Sequence, residues 1–356
     1  MTRPNLKQWL ADKMIFLKSF RRGNETEKEE MGIKPQLDKE TPHPFWVLVQ
    51  KEVTDHMRSW RYVILLAILL LTCMGSLYTA LMSIRDAVSG EGSDVGFVFL
   101  KLFTVSDGTL PPFITFVGFL GPLLGITLGF DAVNSELNKR TLIRILAQPV
   151  PRDYVINAKF VGALMMIGLL FFGLGFLVMG LGLMMIGIPP TPEEFLRMLA
   201  FLILSVVYVA FWLNLAILFS IRFRQAATSA LASIAVWLFF SVFYQLIVNM
   251  IGLARGSTGL APEASATAQQ IQLVQALLRL SPNHLFSEAT TTLLVPSIRS
   301  LGPLTMEQVY GALPTPLPLG QSLMLVWPQV TALIAVTMLC FAFSYVSFMR
   351  QDIRAR

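Results

Sequence analysis

The sequence predicts an all-α integral membrane protein with six transmembrane helices, because of its composition and its long apolar runs. Of the 356 residues, 54% are hydrophobic and 14% are charged, whereas soluble domains carry about 25% charged residues. The mean hydropathy is +0.62. Six runs of roughly 20 residues or more contain no Asp, Glu, Lys or Arg, which is the length that crosses a bilayer core. A soluble globular protein and a disordered chain are both excluded.

The predicted spans divide the chain into four parts. In order, the spans are 62–84, 112–130, 160–188, 198–221, 226–253 and 323–349. The four parts are a cytoplasmic extension at 1–44, an interfacial helix at 45–61, a six-span domain at 62–350 and a cytoplasmic tail at 351–356. The extension has no recognisable secretory signal. Its composition favours a basic amphipathic helix, or a partly helical disordered tail, followed by a linker.

Segment 45–61 has the pattern of a helix that lies along the membrane surface. Apolar residues recur there at helical spacing, and polar and charged residues occupy the other side. Trp46 and Trp60 lie near its two ends, and tryptophan is enriched at the headgroup level of membranes. We therefore predict that these two side chains anchor the segment at the interface.

The distribution of positive charge predicts the orientation. Of the 28 Lys and Arg residues, 22 fall on the face that holds both termini, although the opposite face includes the long loop 254–322. The positive-inside rule then places both termini in the cytoplasm. The net charge of +6 alone would fit a nucleic-acid partner, but in a membrane protein the distribution of Lys and Arg matters more than their sum. We therefore expect the lipid bilayer rather than nucleic acid as the partner of these charges.

The sequence lacks the usual signatures of an enzyme or an ion-coupled carrier. It contains no phosphate-binding loop, no G-x-S-x-G elbow and no H-E-x-x-H helix. The predicted spans contain no acidic or basic residue of the kind that marks ion pathways. Cys73 and Cys340 fall inside apolar runs and have the character of small buried hydrophobes. We therefore expect no catalytic residue, no metal site, no bound cofactor and no ATP hydrolysis by this chain alone.

The second span carries a predicted helix-packing face. Gly121, Gly125 and Gly129 repeat at every fourth position, so they lie on one side of the helix. Small residues in this arrangement allow a neighbouring membrane helix to approach closely.

The cytoplasmic hairpin 131–159 predicts one short amphipathic helix between the second and third spans. The apolar and hydroxyl positions that follow helical spacing are Leu137, Thr141, Leu142, Ile145 and Leu146. Pro149 and Pro151 end this helix. A helix held between two spans is suited to dock in a groove of a soluble protein and to transmit its motion.

At these residues the chain resembles the permease subunits of type 2 ABC exporters. That family has an acidic residue, a Gly-Thr-Leu-like triplet, a Leu-Leu pair, Pro-x-x-Arg and a Lys at the start of the third span. The matching residues are Glu136, Thr141-Leu142, Ile145-Leu146, Pro149 to Arg152 and Lys159. Arg140 departs from the pattern, because the family commonly has Gly there. The six-span layout and Ser281-Pro282-Asn283 also fit, so the resemblance covers roughly residues 45 to 350.

The resemblance implies an exporter permease of a prokaryotic plasma membrane. It would pair with a second copy or a paralogue, while two separate ABC ATPase subunits hold ATP and Mg. The hairpin would be the coupling helix, with Leu142, Ile145 and Leu146 filling a groove on the ATPase. Glu136 and Arg140 would make charged contacts with it, and Arg152 and Lys159 would fix the return to the membrane. Positive-inside anchoring also explains Arg152 and Lys159, and the helix dipole also explains Glu136.

Two other functions remain open from the residues alone. A membrane scaffold would use the same hairpin to recruit a cytoplasmic complex, and a secondary carrier would need ionisable groups that the predicted spans lack. The external loop 254–322 is too long for a simple connection. Within it, 272–280 predicts a helix on the outer membrane surface or over an exit. No residue pattern identifies a transported substrate.

Overall fold

The computed structural model describes residues 43–89, 97–147, 150–187, 189–256, 272–296 and 317–351. The chain divides into two units, one ending at Pro44 and the other spanning Phe45–Arg356. The first unit, with the predicted basic helix and linker of 1–44, lies outside the described residues except for His43 and Pro44. The tail 352–356 also lies outside them. Everything below concerns the second unit, together with the helix that begins at Pro44.

The described part of the chain consists of helices and connections, without a strand. In order, the numbered helices are α1 (Pro44–Met57), α2 (Trp60–Ser89), α3 (Val98–Thr104), α4 (Phe113–Gly129), α5 (Asn134–Asn138), α6 (Thr141–Leu146), α7 (Arg152–Ile186), α8 (Pro192–Arg222), α9 (Ala226–Leu238), a π-helix (Phe239–Phe243), α10 (Tyr244–Gly256), α11 (Pro282–Leu294) and α12 (Leu319–Met349). Residues 272–278, within the predicted helix 272–280, are also helical. Six segments are long and apolar enough to cross a membrane, which confirms the six predicted spans. They are Trp60–Ile84, Phe113–Asn138, Arg152–Ile186, Pro192–Arg222, Ala226–Gly252 and Leu319–Met349.

Two spanning helices begin earlier than the apolar runs do. Thr191 and Glu194 form a capping box, in which the Thr191 side chain accepts from the Glu194 backbone N–H and the Glu194 carboxylate accepts from Thr191. This cap starts α8 at Pro192 rather than near 198. α7 starts at Arg152, directly after Pro151 and well before the predicted 160. As a result, charged residues that the sequence places beside the spans belong to the spanning helices.

The predicted interfacial helix is shorter than 45–61. α1 ends at Met57, and α2 begins at Trp60. Between them, the Ser59 carbonyl accepts from Val63 N at 3.2 Å, as the residue before a helix does, and serine favours that position. Trp60, the predicted second anchor, is therefore the first residue of α2. The exposed fraction is 54% for Trp46 and 79% for Trp60.

α8 is the central helix of the six-span unit. It packs against α4, α7, α9, α11 and α12, and Phe201, Tyr208 and Trp212 are among its fully buried side chains. Of the 18 most apolar consecutive residues in each span, 72% are buried in α8, whereas 17% are buried in the fifth span. The fifth span also contains the π-helix, a rare form that often marks functional positions.

The three glycines of α4 lie along its contact with α8. A Cβ atom at Gly125 would stand 2.7 Å from the carbonyl oxygen of Val209, and one at Gly129 would stand 2.7 Å from that of Leu213. At Gly121 the nearest atom would be a Val209 methyl, at 2.9 Å. The two backbones therefore meet with no room for a side chain, which is the close approach that small residues permit in membranes.

The end of the bundle opposite the hairpin is held by Arg197, whose side chain is fully buried. Its guanidinium donates to the carbonyls of Leu293 and Leu317, at 2.9 and 2.6 Å, and to Ser322 Oγ at 3.1 Å. It also pairs with Glu193 at 2.8 Å. We call this set of contacts the Arg197 clasp. It joins the end of α11 to the start of α12, where the Leu317 N–H also donates to the Pro296 carbonyl at 3.0 Å.

Candidate functional site

The hairpin between α4 and α7 sits against the far end of α8. Two successive backbone N–H groups, of Val133 and Asn134, donate to Ser220 Oγ at 3.0 and 3.2 Å. The Asn138 side chain donates to the carbonyl of Arg224 at 3.1 Å, just past α8. The hairpin is therefore bonded to the bundle at both ends of α5.

The hairpin contains two short helices rather than the one predicted. α5 and α6 are separated at Lys139 and Arg140, and Arg140 has a φ of 57°. This left-handed conformation interrupts a right-handed helix, and it is one that glycine adopts without steric cost. The backbone thus gives a physical reason why glycine suits the position of Arg140 in the resembling family. Lys139 and Arg140 are exposed at this turn.

Four charged side chains from three elements meet beneath the hairpin. Lys159 of α7 lies 3.0 Å from Glu52 of α1 and 2.9 Å from Glu136 of α5. Lys51 lies 2.9 Å from the same oxygen of Glu52 and 2.7 Å from that of Glu136. We call these four residues the Lys159 cluster. Each cation is shared by both carboxylates, so the formal charges balance.

Three members of the Lys159 cluster are shielded from solvent, most of all Lys159, whose side chain is 3% exposed, whereas the side chain of Lys51 is 39% exposed. Burial alone would raise the pKa of the Glu52 carboxyl, but the charges of Lys159 and Lys51 outweigh it and hold that pKa below its usual range. Burial would lower the pKa of Lys51, yet Glu52 and Glu136 raise it. The ionised forms of Glu52 and Lys51, both on α1, are thus favoured by the charges that surround them.

A glycine lets α1 come close enough to complete this arrangement. A Cβ atom at Gly162, one turn beyond Lys159, would stand 2.8 Å from Cβ of Glu52. Any larger residue there would push α1 away from α7 and lengthen the Glu52 to Lys159 ion pair. The close crossing of α1 over Gly162 therefore determines the geometry of the Lys159 cluster.

A cavity of about 420 Å³ adjoins the Lys159 cluster on the hairpin side. Its rim includes Arg61, which pairs with Asp131 at 2.6 Å and lies over the ring of Phe130. His56 also lines it. Burial lowers the pKa of His56, although the nearby Glu52 acts in the opposite direction.

The structure changes the expected roles of two hairpin residues. Leu142 is fully buried within the chain, so it does not present an apolar surface to an ATPase. Glu136 faces Lys51 and Lys159 instead of the hairpin exterior, and its side chain is 13% exposed. Both corrections have one reason: the hairpin folds back on α1 and α7, and this orients its apolar and acidic residues inward.

The remaining predicted hairpin residues divide between the interior and the exterior. Ile145 is partly buried against the core, and the Thr141 hydroxyl donates to the Glu136 carbonyl at 3.3 Å. Arg152 is exposed at the start of α7, and Arg144, which was not singled out, is exposed on α6. The side chain of Leu146 and the whole of Pro149 lie outside the described residues.

Sequence reasoning does not reveal the contacts of three charged residues. The pattern places Lys51 and Glu52 on the polar side of an interfacial helix, and the charge count places Arg197 on the face opposite the termini. The sequence offers one signal for these contacts: Lys159 and Glu136 both need counter-charges if they are buried. Asn283, noted as part of a Ser-Pro-Asn run, proves to bond Ser241 of the π-helix and the Tyr208 hydroxyl.

Within the described ranges no group of three or more His, Cys, Asp or Glu residues could hold a metal ion. Cys73 and Cys340 are buried free thiols. The described contacts of the hairpin with α1 and α7 are ion pairs, and they connect its exposed turn to these two helices.

Comparison with known proteins gives consistent results. A family model described as ABC-2 family transporter protein matches residues 46–353. A protein of Pseudomonas aeruginosa named "Probable ABC transporter permease protein NosY" is 27% identical over 253 residues, which cover 68% of this chain and 79% of that protein. The protein of the same name from Stutzerimonas stutzeri is 27% identical over 297 residues, covering 82% and 95%.

Proposed function

The chain belongs to the ABC-2 family of transporter proteins and is a membrane permease subunit of an ABC transporter, and from this premise we propose that its hairpin 131–159 couples ATPase subunits to the transport path. In this proposal two ATPase subunits bind ATP and Mg, and this chain hydrolyses nothing itself. A second copy or a paralogue completes the path, which serves export. The membrane is a prokaryotic plasma membrane with both chain termini on the cytoplasmic side.

The connection of the hairpin to α1 and α7 through the Lys159 cluster is the observation that carries the proposal. Removing one partner from a buried ion pair costs about 3–5 kcal/mol, because a charge is left uncompensated. Because Glu136 and Lys159 are costly to separate, a displacement of the hairpin moves α1 and α7 with it. Moving α7 also moves the helices packed against it, which include α8.

The exterior of the hairpin supplies a surface for the ATPase. Lys139, Arg140 and Arg144 are exposed there and lie on or beside α6. Because Leu142 and Glu136 are directed inward, we assign the docking contacts to these three cations, with acidic residues on the partner. Complementary charge of this kind contributes mainly to the rate and specificity of association.

We propose that the fifth span contacts the second permease subunit, or lipid where that subunit is absent. Only 17% of the residues in its most apolar stretch are buried within the chain. Large apolar side chains such as Leu231, Phe243 and Leu246 are more than half exposed along it. A membrane helix with so little contact inside its own chain has its neighbours elsewhere.

The proposal is tested by reversing charge on the hairpin exterior. The triple variant K139E/R140E/R144E should insert and fold normally, yet lose co-purification with the ATPase subunit and nucleotide-stimulated transport. Arg58→Glu, an exposed charge at the end of α1, is the matched control and should retain both. Normal ATPase recovery with the triple variant would contradict the docking role. Normal recovery with wild-type chain, but no nucleotide-dependent transport in vesicles, would favour a scaffold.

A further inference from the structure

A groove lies between the ends of α8 and α12, on the same side of the bundle as the hairpin. Its volume is about 530 Å³, and it runs between Arg222 at the end of α8 and Arg350 just after α12. The side is fixed by the Asn138 side chain of the hairpin, which donates to the carbonyl of Arg224. The groove is separate from the Lys159 cluster and from the cavity beside it.

The mouth of the groove is positively charged. Arg222 and Arg350 are both exposed, and neither forms an ion pair or a side-chain hydrogen bond with any described residue. Each helix end contributes about half a negative charge from its dipole, which together offset about one of the two guanidinium charges. About one positive charge remains, on two side chains that bind phosphate oxygens in a planar, bidentate manner.

The floor of the groove is apolar and open to the surrounding lipid. Phe343 is 66% exposed and Val346 is 45% exposed, and Leu218 of α8 lines the facing wall. A soluble anion would gain nothing from these surfaces, whereas an acyl chain would cover them. The charged mouth lies next to the apolar floor, just as the phosphate lies next to the acyl chains in a phospholipid.

We propose that this groove binds one anionic phospholipid of the leaflet on the hairpin side, with its phosphate between Arg222 and Arg350. The first acyl carbons lie on Phe343 and Val346. Phosphatidylglycerol has this combination of one negative charge and acyl chains. The proposal is independent of the coupling function, because it requires only that the helices are embedded in a membrane.

The test is a lipid titration of the full chain, delipidated in mild detergent and followed by native mass spectrometry. Dioleoyl phosphatidylglycerol should bind with a stoichiometry of one, more tightly than dioleoyl phosphatidylcholine. The double variant R222Q/R350Q should weaken phosphatidylglycerol binding by about 25-fold, since each arginine near an anionic surface contributes a factor of about five. Arg58→Gln removes one positive charge just after α1, away from the groove, and should leave binding unchanged.

Three results would overturn the proposal. One is equal affinity for the two lipids, another is equal loss of binding in R222Q/R350Q and Arg58→Gln, and the third is displacement of the bound lipid by excess inorganic phosphate. Both substituted arginines are exposed, so the double variant should fold. Its melting temperature without added lipid should match that of the wild type, and the wild type alone should gain stability from phosphatidylglycerol.

Discussion

The two ends of the bundle each contain one buried cation, and they neutralise it in different ways. Lys159, at the hairpin end, is held by two carboxylates that come from α1 and α5. Arg197, at the other end, is held mainly by backbone carbonyls and a hydroxyl, with one partly exposed glutamate. Along α8, the rise from Arg197 to Ser220, which contacts the hairpin, is about 35 Å at 1.5 Å per residue.

The difference indicates which end is built to move. Carboxylates on separate helices keep balanced charges together, so a displacement of the hairpin carries α1 and α7 with it. Carbonyls at fixed helix ends offer only one arrangement, and separating them from Arg197 leaves a buried cation without partners. We therefore interpret the Lys159 cluster as a transmission element and the Arg197 clasp as a fixed anchor against which it works.

The largest effect should follow from Arg197→Met. This variant removes every bond of the Arg197 clasp and leaves the carbonyls of Leu293 and Leu317 with fewer partners, at a cost of about 4–5 kcal/mol. Thermal unfolding in detergent should show a fall in melting temperature of more than ten degrees. Arg197→Lys keeps the positive charge and should show a smaller fall in melting temperature. An unchanged melting temperature in Arg197→Met would remove the distinction between the two ends.

A smaller loss of stability is expected for Lys159→Met, about 3 kcal/mol, because Lys51 continues to pair with both carboxylates. Neutralising the carboxylates as well, in K159M/E52Q/E136Q, should restore most of this stability, since a buried ion network replaced as a whole is often tolerated. Nucleotide-stimulated transport should remain lost in both variants. Recovery of transport in the triple variant would show that the ion pairs serve stability alone.

Acid should weaken the hairpin end through His56 and Glu52. The folded pKa of each lies below its ordinary value, so each contributes stability at higher pH and loses it as pH falls. For His56 the loss begins below about pH 6.5, and for Glu52 below about pH 4.5. The charged groups near His56 are Glu52, Asp55, Lys159 and Asp131.

The measurement for this acid effect is the melting temperature between pH 8 and pH 5, in wild type and in His56→Gln. The wild type should lose stability over this range, and His56→Gln should lose less. Arg197→Lys, altered at the other end, should follow the wild-type pH profile. A parallel decline in His56→Gln would exclude the histidine as the source.

The smallest effect is expected for Arg140→Gly, and it is a gain. The left-handed backbone costs about 1–2 kcal/mol for a residue with a side chain, and the extra freedom of glycine in the unfolded chain offsets part of that. The permease alone should therefore gain about 0.5–1 kcal/mol. Arg140→Ala removes the same charge but retains the strained backbone, so it should gain nothing. Equal melting temperatures for the two variants would contradict this account.

Much of the bundle could be predicted because it follows from local chemistry. Apolar runs between charged residues identify the six spans, and the glycine spacing in α4 indicates its close contact with another helix. The predictions failed where long-range contacts decide the outcome. Arg197 is buried because carbonyls 96 and 120 residues away fold over it. Glu136 is directed inward because it pairs with Lys51, 85 residues away, which its helical spacing cannot reveal.

The hydrogen bond between Leu317 and Pro296 has a practical consequence. It joins two points of the chain with twenty residues between them, and the free energy needed to close such a connection depends little on its length. We therefore expect a change in its length to leave α11 and α12 undisturbed. For the same reason, an epitope tag inserted between Pro296 and Leu317 should be well tolerated. Its accessibility to antibody in intact cells would report on which side of the membrane the Arg197 clasp lies.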